Sequence, residues 1–260
     1  MLKGKTAIVT GSTSGIGLGI AEAFAAQGCD VAFNSFKADA ASDKVVADTA
    51  AKFGVRTRFV TADMSKPADA FNLVKDVEAA WGKVDILVNN AGIQHVEAIE
   101  TFPPEKWDAI IGINLSSAFH TTRAAFAGMK ARKFGRIINI SSAHGLIASP
   151  FKSAYVAAKH GIIGLTKTVA MEGAEFGITA NAVCPGYVWT PLVAAQIPGQ
   201  AKAHNMTEEE VIKKVFLHEQ PTGKFATVEE IGAICVYLSS DLAASTTGTA
   251  IPVDGGWVAH

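Results

Sequence analysis

The 260-residue sequence has little cysteine, little net charge and no apolar run long enough to cross a bilayer. Its three cysteines, Cys29, Cys184 and Cys235, lie far apart without a metal-binding spacing, which predicts small buried residues in a reducing compartment. A formal net charge of −1 gives no reason to expect a nucleic-acid partner. No signal-peptide pattern precedes TAIVT at 6–10. We therefore expect a cytoplasmic protein that binds no metal, no membrane and no nucleic acid.

Apolar runs typical of strands alternate with helix-like segments through most of the chain. Strands are predicted over 6–10, 30–34, 56–62, 84–89, 136–141, 178–184 and 249–253. These runs alternate little in polarity, as in parallel strands that are covered on both faces. The pattern predicts one α/β domain over 1–260: a doubly wound, Rossmann-type, mostly parallel seven-stranded sheet with helices on both faces. The irregular stretch 186–225 follows a strand end and predicts a helical lid over a site.

A glycine-rich turn, TGSTSGIG at 10–17, joins the first predicted strand to the first helix. Gly11, Gly15 and Gly17 permit a sharp turn and a close ligand approach, and the helix start offers N–H groups to a pyrophosphate. The spacing G-x-x-x-G-x-G departs from the common dinucleotide fingerprint. NNAG at 89–92 follows the fourth strand and borders the same crevice. The turn predicts nucleotide binding, and a tight turn without a ligand is the alternative.

The end of the second strand lacks the acidic residue that binds the adenosine ribose in many NAD enzymes. It has NSFK at 34–37, where Phe36 can flank an adenosine and Lys37 can meet a phosphate or remain in solvent. Because Ser14 in the glycine turn is not basic, we favour NAD over NADP. Asp63, after the third strand, can bind the adenine amino group or simply cap its own turn.

Tyr155 and Lys159 stand one helical turn apart on the same face of a helix that Ser153 can cap. A free tyrosine ionises near pH ~10, and a neighbouring ammonium group lowers that pKa by favouring the phenolate. Ser142 lies just upstream of this pair. Taken singly, each residue is as readily explained as a surface or turn residue.

Taken together, these motifs resemble the short-chain dehydrogenase/reductase family over the whole chain. The matching elements are TGSTSGIG, NNAG, Asn114, Ser142, the Tyr155/Lys159 pair, CPG at 184–186 and DGG at 254–256. The resemblance implies that Tyr155 is the general acid/base and that Lys159 holds the nicotinamide ribose. It implies that Ser142 fixes the substrate oxygen and that Asn114 anchors a proton-relaying water. It also implies a cofactor-binding set of Gly11, Thr13, Gly15, Ile16, Gly17, Phe36, Asp63, Asn90, Gly92, Tyr155, Lys159, Pro185, Gly186, Val188 and Thr190.

The residues around the catalytic pair indicate the class of substrate. Lys152 and His144 border the place where the substrate oxygen must sit, and a carboxylate suits such donors. The segments GIQH (92–95), SSAHGLIAS (141–149), KSAYVAAKHG (152–161) and DGGW (254–257) resemble a bacterial branch of the family that oxidises (R)-3-hydroxybutyrate to acetoacetate with NAD. The resemblance implies a small anionic substrate bound by Gln94, Ser142, His144, Lys152, Tyr155, Gln196 and Trp257. It further implies a homotetramer, with the Tyr155 helix and the C-terminal strand near subunit interfaces.

Three alternatives remain open at this point. One is another member of the same family, such as an NADPH-dependent 3-oxoacyl thioester reductase or a dehydrogenase of a different small hydroxy acid. A second is a nucleotide-binding protein of this fold without chemistry, against which the intact Ser142, Tyr155 and Lys159 argue. A third is a methyltransferase, which would share the alternating chain and the glycine turn but would have no need of the Tyr155/Lys159 pair.

Overall fold

Seven parallel strands form one sheet in the order β3-β2-β1-β4-β5-β6-β7. The structure, a computed structural model, describes residues 1–259 without the side chains at positions 192 and 203. The strands are β1 (Thr6–Val9), β2 (Asp30–Ser35), β3 (Thr57–Thr61), β4 (Ile86–Asn89), β5 (Gly135–Ile140), β6 (Ile178–Pro185) and β7 (Ala250–Val253). Every pairing between neighbouring strands is parallel. The predicted doubly wound, seven-stranded sheet is therefore confirmed.

Helices cover both faces of this sheet. They are α1 (Gly15–Ala26), α2 (Ala40–Phe53), α3 (Pro67–Trp81), α4 (Pro104–Ile111), α5 (Ser117–Arg132), α6 (Ser153–Gly173), α7 (Pro191–His204), α8 (Glu208–Val211) and α9 (Val228–Ser239). Phe24 of α1 and Ile231 of α9 pack on one face, whereas Leu73 of α3 and Met129 of α5 pack on the other. The two cores explain the uninterrupted apolar strands, since both faces of the sheet exclude water.

Strand β1 shows how sequence and packing agree. All four of its residues are buried, and their side chains point alternately to the two faces. Ala7 and Val9 join the core under α1 and α9, while Ile8 joins the core under α3 and α5. A polar residue on either side would therefore lose its water, which is why the strand shows no polar alternation.

The order of the strands creates a crevice at the carboxyl ends of β1 and β4. From β1 the chain winds outward through β2 and β3 and then returns to β4 on the other side of β1. Ligands of doubly wound sheets bind where the strand order reverses in this way. The glycine turn at 10–17 follows β1, and NNAG at 89–92 follows β4, so both face this crevice. Within residues 1–259, no helix is long and apolar enough to span a membrane.

The segment 186–225 forms helices α7 and α8 and a π turn, Ile212–Phe216. It has a small core of its own, in which Ile197, Val211 and Phe216 are buried together. Its helical character was predicted, and its role as a lid remains a prediction. All three cysteines are buried and free, as expected.

Two local predictions need comment. Helix α6 has Lys152 at its N-cap position without a side-chain cap, and the Ser153 hydroxyl is buried without a hydrogen-bond partner among the described residues. The prediction that Ser153 caps this helix is therefore wrong. Asn114 was expected between two helical segments, and it lies in a π turn, Gly112–Ser116, that joins α4 directly to α5. Such turns inside helices are frequent at functional sites.

Candidate active site

The glycine turn is held by close backbone contacts. Gly11 has a φ of +60°, a conformation that favours glycine, and its N–H donates to Asn34 Oδ1 at 3.1 Å. A Cβ at Gly17 would clash with the carbonyl oxygen of Gly11 and the amide of Asn90. Only glycine therefore lets helix α1 begin so close to the strand end.

Two side-chain amides, of the buried Asn34 and the half-buried Asn90, hold this turn from its flanks. Asn34 Nδ2 donates to the carbonyls of Val60 and Ala62, both at 3.1 Å, and so ties β2 to β3. Asn90 Nδ2 donates to the carbonyls of Thr10 and Gly11, at 2.9 and 3.0 Å. Asn34 has no predicted role in the sequence analysis, and in the fold its side chain holds the turn.

The start of helix α1 suits an anionic group such as a pyrophosphate. Ser14 is its N-cap residue but makes no side-chain capping hydrogen bond, and the first turn contains no acidic residue. The first N–H groups of the helix therefore have no side-chain acceptor. Phe36, predicted to flank an adenosine, is 75% exposed just beyond β2. These features fit the dinucleotide that the sequence predicts.

Two further predicted cofactor contacts have structural tasks as well. Asp63 Oδ1 accepts hydrogen bonds from the N–H and hydroxyl of Ser65, at 2.9 and 2.7 Å, and these bonds lower the pKa of Asp63. Its turn-capping role is therefore realised, and adenine binding remains a prediction. Thr190 caps α7 by accepting the N–H of Val193 at 3.3 Å. The Thr190 methyl would lie 3.7 Å from a Cβ on Gly15, so the lid segment begins beside the glycine turn.

Tyr155 and Lys159 lie together at the start of α6, as predicted. Lys159 is 4% exposed, its Nζ donates to the carbonyl of Ile140 at 2.7 Å, and it sits 5.5 Å from the centre of the Tyr155 ring. Burial lowers the pKa of Lys159 to about 8. Burial raises the pKa of Tyr155, and a hydrogen bond with Ser142 acts in the opposite direction. The protein itself thus moves the Tyr155 pKa upward, opposite to the direction predicted from the ammonium group alone, because burial penalises the phenolate more.

Ser142, which hydrogen-bonds with Tyr155, and Asn114 are both buried. Ser142 follows β5, and its Oγ accepts the N–H of His144 at 3.2 Å. The Asn114 side chain accepts the N–H of Ile93 and donates to the Ile93 carbonyl, both at 2.9 Å. Asn114 thereby fixes the chain directly after NNAG, and its predicted hold on a water remains a prediction.

A cavity of about 360 Å³ lies near the Tyr155/Lys159 pair, since its lining residue His144 stands beside the Tyr155 ring. It is lined by His144, Ile147, Ala148, Ser149, Pro150, Lys152, Tyr187, Val215, Glu219 and Trp257. The His144 ring stands edge-on to Trp257, with 5.1 Å between ring centres, and edge-on to Tyr155 at 6.1 Å. The structure therefore brings together His144, Lys152 and Trp257 as predicted. Gln94 and Gln196 are exposed and are not among the lining residues, so their substrate contacts remain predictions.

Two nitrogen-bearing side chains line this cavity, the buried His144 and the half-buried Lys152. Burial, followed by the charges of Lys152 and His160, lowers the pKa of His144 to about 4, so its imidazole is neutral near pH 7. Its Nε2 atom is buried without a hydrogen-bond partner in the described chain. Burial alone lowers the pKa of Lys152. A carboxylate ligand would satisfy both donors, His144 and Lys152. Phe151, directly before Lys152, has a φ of +64°, a strained value for a bulky residue.

Among the cavity residues that sequence reasoning missed, Tyr187 and Glu219 bear on the chemistry of the site. The Tyr187 ring stacks on Trp257 with 5.5 Å between centres and an interplanar angle of 11°. Its position directly after CPG, and its being one of only three tyrosines, could have drawn attention to it. Glu219 lies in a stretch without any motif, so only the folded lid segment reveals its place.

Comparisons with known proteins agree with this geometry. A family model described as enoyl-(acyl carrier protein) reductase matches residues 11–258. A D-beta-hydroxybutyrate dehydrogenase of Cupriavidus necator is 55% identical, with all of both chains covered. A protein of the same name from Rhizobium meliloti is also 55% identical, covering 98% of this chain and 99% of its own. Among solved structures, an Agrobacterium tumefaciens protein assigned as a 2-deoxy-D-gluconate 3-dehydrogenase, with bound NADP, has a TM-score of 0.87 and 35% identity, covering 100% of this chain and 98% of its own.

Proposed function

Because the chain belongs to the short-chain dehydrogenase/reductase family, we propose that it oxidises (R)-3-hydroxybutyrate to acetoacetate with NAD. The observation that carries this proposal is a Tyr155/Lys159 site next to a cavity lined by Lys152, a cation without an ion-pair partner among the described residues. A short 3-hydroxy acid offers one carboxylate for that cation and one hydroxyl for Tyr155. The full-length similarity to two D-beta-hydroxybutyrate dehydrogenases supports the same substrate.

In the proposed reaction, the protein's residues orient the substrate and move its hydroxyl proton. Lys152 and the neutral His144 hold the carboxylate, which aligns the carbon that bears the hydroxyl group. Ser142 and Tyr155 hold the hydroxyl oxygen, and Tyr155, once ionised to its phenolate, accepts the hydroxyl proton as the carbonyl forms. When bound, a nicotinamide dinucleotide supplies the hydride acceptor. The glycine turn and the start of α1 would hold its phosphates, and Lys159 its nicotinamide ribose.

The preference for NAD over NADP has its own support at the end of β2. Lys37 is the cation there, and its charge acts on the carboxylate of Asp39, whose pKa is lowered mainly by Ser42. Asp39 accepts the N–H and hydroxyl of Ser42 at 2.8 and 2.9 Å. A single lysine beside a carboxylate is a weak site for an additional phosphate group.

The proposal is tested by following nicotinamide reduction with purified protein. The (R) and (S) enantiomers of 3-hydroxybutyrate are each offered with NAD and with NADP. We expect rapid turnover only with the (R) acid and NAD. Turnover with NADP alone would overturn the cofactor assignment, and no turnover with either enantiomer would overturn the substrate. A 3-oxoacyl thioester reductase, the main alternative, would instead oxidise NADPH in the presence of acetoacetyl-CoA.

We also propose that the chain assembles as a homotetramer. Apolar side chains are exposed on the elements expected at subunit interfaces: Met171 on α6 is 82% exposed, and Leu242 before β7 is 77% exposed. Exposed apolar groups on such faces favour association. Sedimentation equilibrium should give four times the chain mass, and a monomer would contradict this proposal. The cytoplasmic location remains a prediction.

A further inference from the structure

We propose that Glu219 is a specificity-determining residue whose carboxylate keeps a second carboxylate out of the substrate cavity. The site would then accept 3-hydroxy acids with one anionic end and reject 3-hydroxy diacids. This inference rests on the proposed function and narrows its substrate class. Neither the catalytic pair nor the family motifs require an acidic residue at this place.

The charges that line the cavity are of opposite sign. Among the described lining residues, Lys152 and Glu219 are the charged ones. His144 adds no charge near pH 7, because its pKa is lowered to about 4. The cavity therefore has one cationic and one anionic group. A substrate carboxylate binds most favourably beside Lys152, and the other end of the substrate remains exposed to the field of Glu219.

Glu219 is fixed in place by the buried residue that follows it. Gln220 is 1% exposed, its Oε1 accepts the N–H of Tyr187, and its Nε2 donates to the carbonyl of Lys224 at 2.6 Å. A Cβ at Gly186 would clash with the Gln220 side chain, so these segments are closely packed. The backbone beside Glu219 is thus anchored to the same residue, Tyr187, that lines the cavity.

The charge of Glu219 reaches the wall of the cavity. Burial and the Glu219 carboxylate together raise the pKa of Tyr187, whose ring stacks on Trp257. The Glu219 side chain is 47% exposed, and its Oε1 lies 3.3 Å from His218 Nδ1. Because it is half exposed, solvent and salt screen part of its field. We therefore expect a moderate effect, about fivefold in selectivity at low salt.

The test compares three substrates that separate charge from size. These are (R)-3-hydroxybutyrate, 3-hydroxyglutarate, and the monomethyl ester of 3-hydroxyglutarate, which has the length of the diacid but one charge. They are assayed with NAD on the wild type and on Glu219→Gln. Glu209→Gln is the matched control, because Glu209 lies on the same lid segment but does not line the cavity.

We expect the wild type to turn over the monoester faster than the diacid. In Glu219→Gln, kcat/KM for the diacid relative to 3-hydroxybutyrate should rise about fivefold at low ionic strength. The gain should shrink at about 1 M salt, where the screening length is about 3 Å. Glu209→Gln should keep the wild-type ratio. The salt dependence identifies a charge effect, which a merely structural change would not produce.

Two results would overturn this role of Glu219. One is an unchanged ratio in Glu219→Gln while 3-hydroxybutyrate is still oxidised, and the other is equal rejection of the monoester and the diacid, which would indicate exclusion by size. Either leaves the proposed function intact. If the wild type does not oxidise 3-hydroxybutyrate at all, the proposed function fails, and this inference fails with it.

Discussion

The glycine turn and the substrate cavity are neighbours with opposite construction. In the turn, polar groups satisfy one another: Asn34 and Asn90 give their amide hydrogens to backbone carbonyls, and the Gly11 N–H finds Asn34. In the cavity, His144 Nε2 is buried without a hydrogen-bond partner in the described part of the chain, and burial lowers the pKa of Lys152. The flanks of the turn are thus held by satisfied hydrogen bonds and leave only the first N–H groups of α1 for a ligand, whereas the cavity leaves side chains for one.

This difference has an energetic meaning. A satisfied buried network stabilises the fold, and breaking it leaves partners unpaired at a cost of about 1–3 kcal/mol for each group. An unsatisfied buried group already carries that cost in the folded protein, and ligand binding relieves it. Substitutions in the turn should therefore reduce stability, and substitutions in the cavity should reduce activity while sparing stability.

The largest effect is expected from Tyr155→Phe. The variant loses the hydroxyl that exchanges the proton but keeps the ring, so kcat/KM should fall by about 1,000-fold or more. Thermal unfolding should remain close to wild type. Activity is measured by nicotinamide absorbance and stability by calorimetry. A variant with a tenth of wild-type activity would remove Tyr155 from the general acid/base role.

The next effect concerns stability and comes from Gly17→Ala. The new Cβ meets the Gly11 carbonyl and the Asn90 amide, so the turn must shift, at a cost of about 3 kcal/mol. Denaturant unfolding measures this loss. Gly164→Ala is the matched control, since a Cβ at Gly164 in α6 has nothing within 4 Å. Equal stability of the two variants would mean that the turn is less tightly packed than its contacts indicate.

The same contrast explains how far sequence reasoning reaches. The turn depends on glycines and amides that stand together in the chain, and Tyr155 and Lys159 share one helix, so local spacing predicts them. The cavity combines His144 after β5, Lys152 before α6, Tyr187 after β6 and Glu219 on the lid segment. No spacing rule links such distant positions, so the resemblance supplied His144 and Lys152, whereas Tyr187 and Glu219 were missed.

The direction of the Tyr155 pKa shift also could not be predicted from the sequence. The Tyr155/Lys159 spacing predicts a lowered tyrosine pKa, because the sequence shows the partner charge but not the burial. In the fold Lys159 is buried and Tyr155 is half-buried, and desolvation penalises the ammonium of the one and the phenolate of the other. Burial is a property of the whole packing, which one helix cannot reveal.

The third effect is a loss of activity on substitution of the cavity residue Lys152. Lys152→Met should lower kcat/KM for 3-hydroxybutyrate about 100-fold, because the carboxylate loses its cation and the substrate its orientation. The methyl ester of the substrate should lose much less. Stability should stay equal or rise, since a half-buried charge without a partner is removed. Lys167→Met, on an exposed face of α6, is the control. A lower free energy of unfolding in Lys152→Met would contradict the view that the buried charge of Lys152 destabilises the folded protein.

The smallest effect is a dependence of stability on pH, carried by His144. Its pKa is lowered from 6.5 to about 4 in the folded chain, so between these values the unfolded chain binds a proton that the folded chain refuses. Stability from this group is complete above pH 6.5 and falls as the pH drops, by about 2 kcal/mol at pH 5. His144→Gln should abolish that part of the slope between pH 7.5 and pH 5 in urea unfolding, whatever its absolute stability. His204→Gln, an exposed imidazole on the lid segment, should keep the wild-type slope. An unchanged slope in His144→Gln would mean that the wild-type imidazole takes up a proton in the folded cavity. The contrast between the cavity and the hydrogen-bonded glycine turn would then be weaker than the structure indicates.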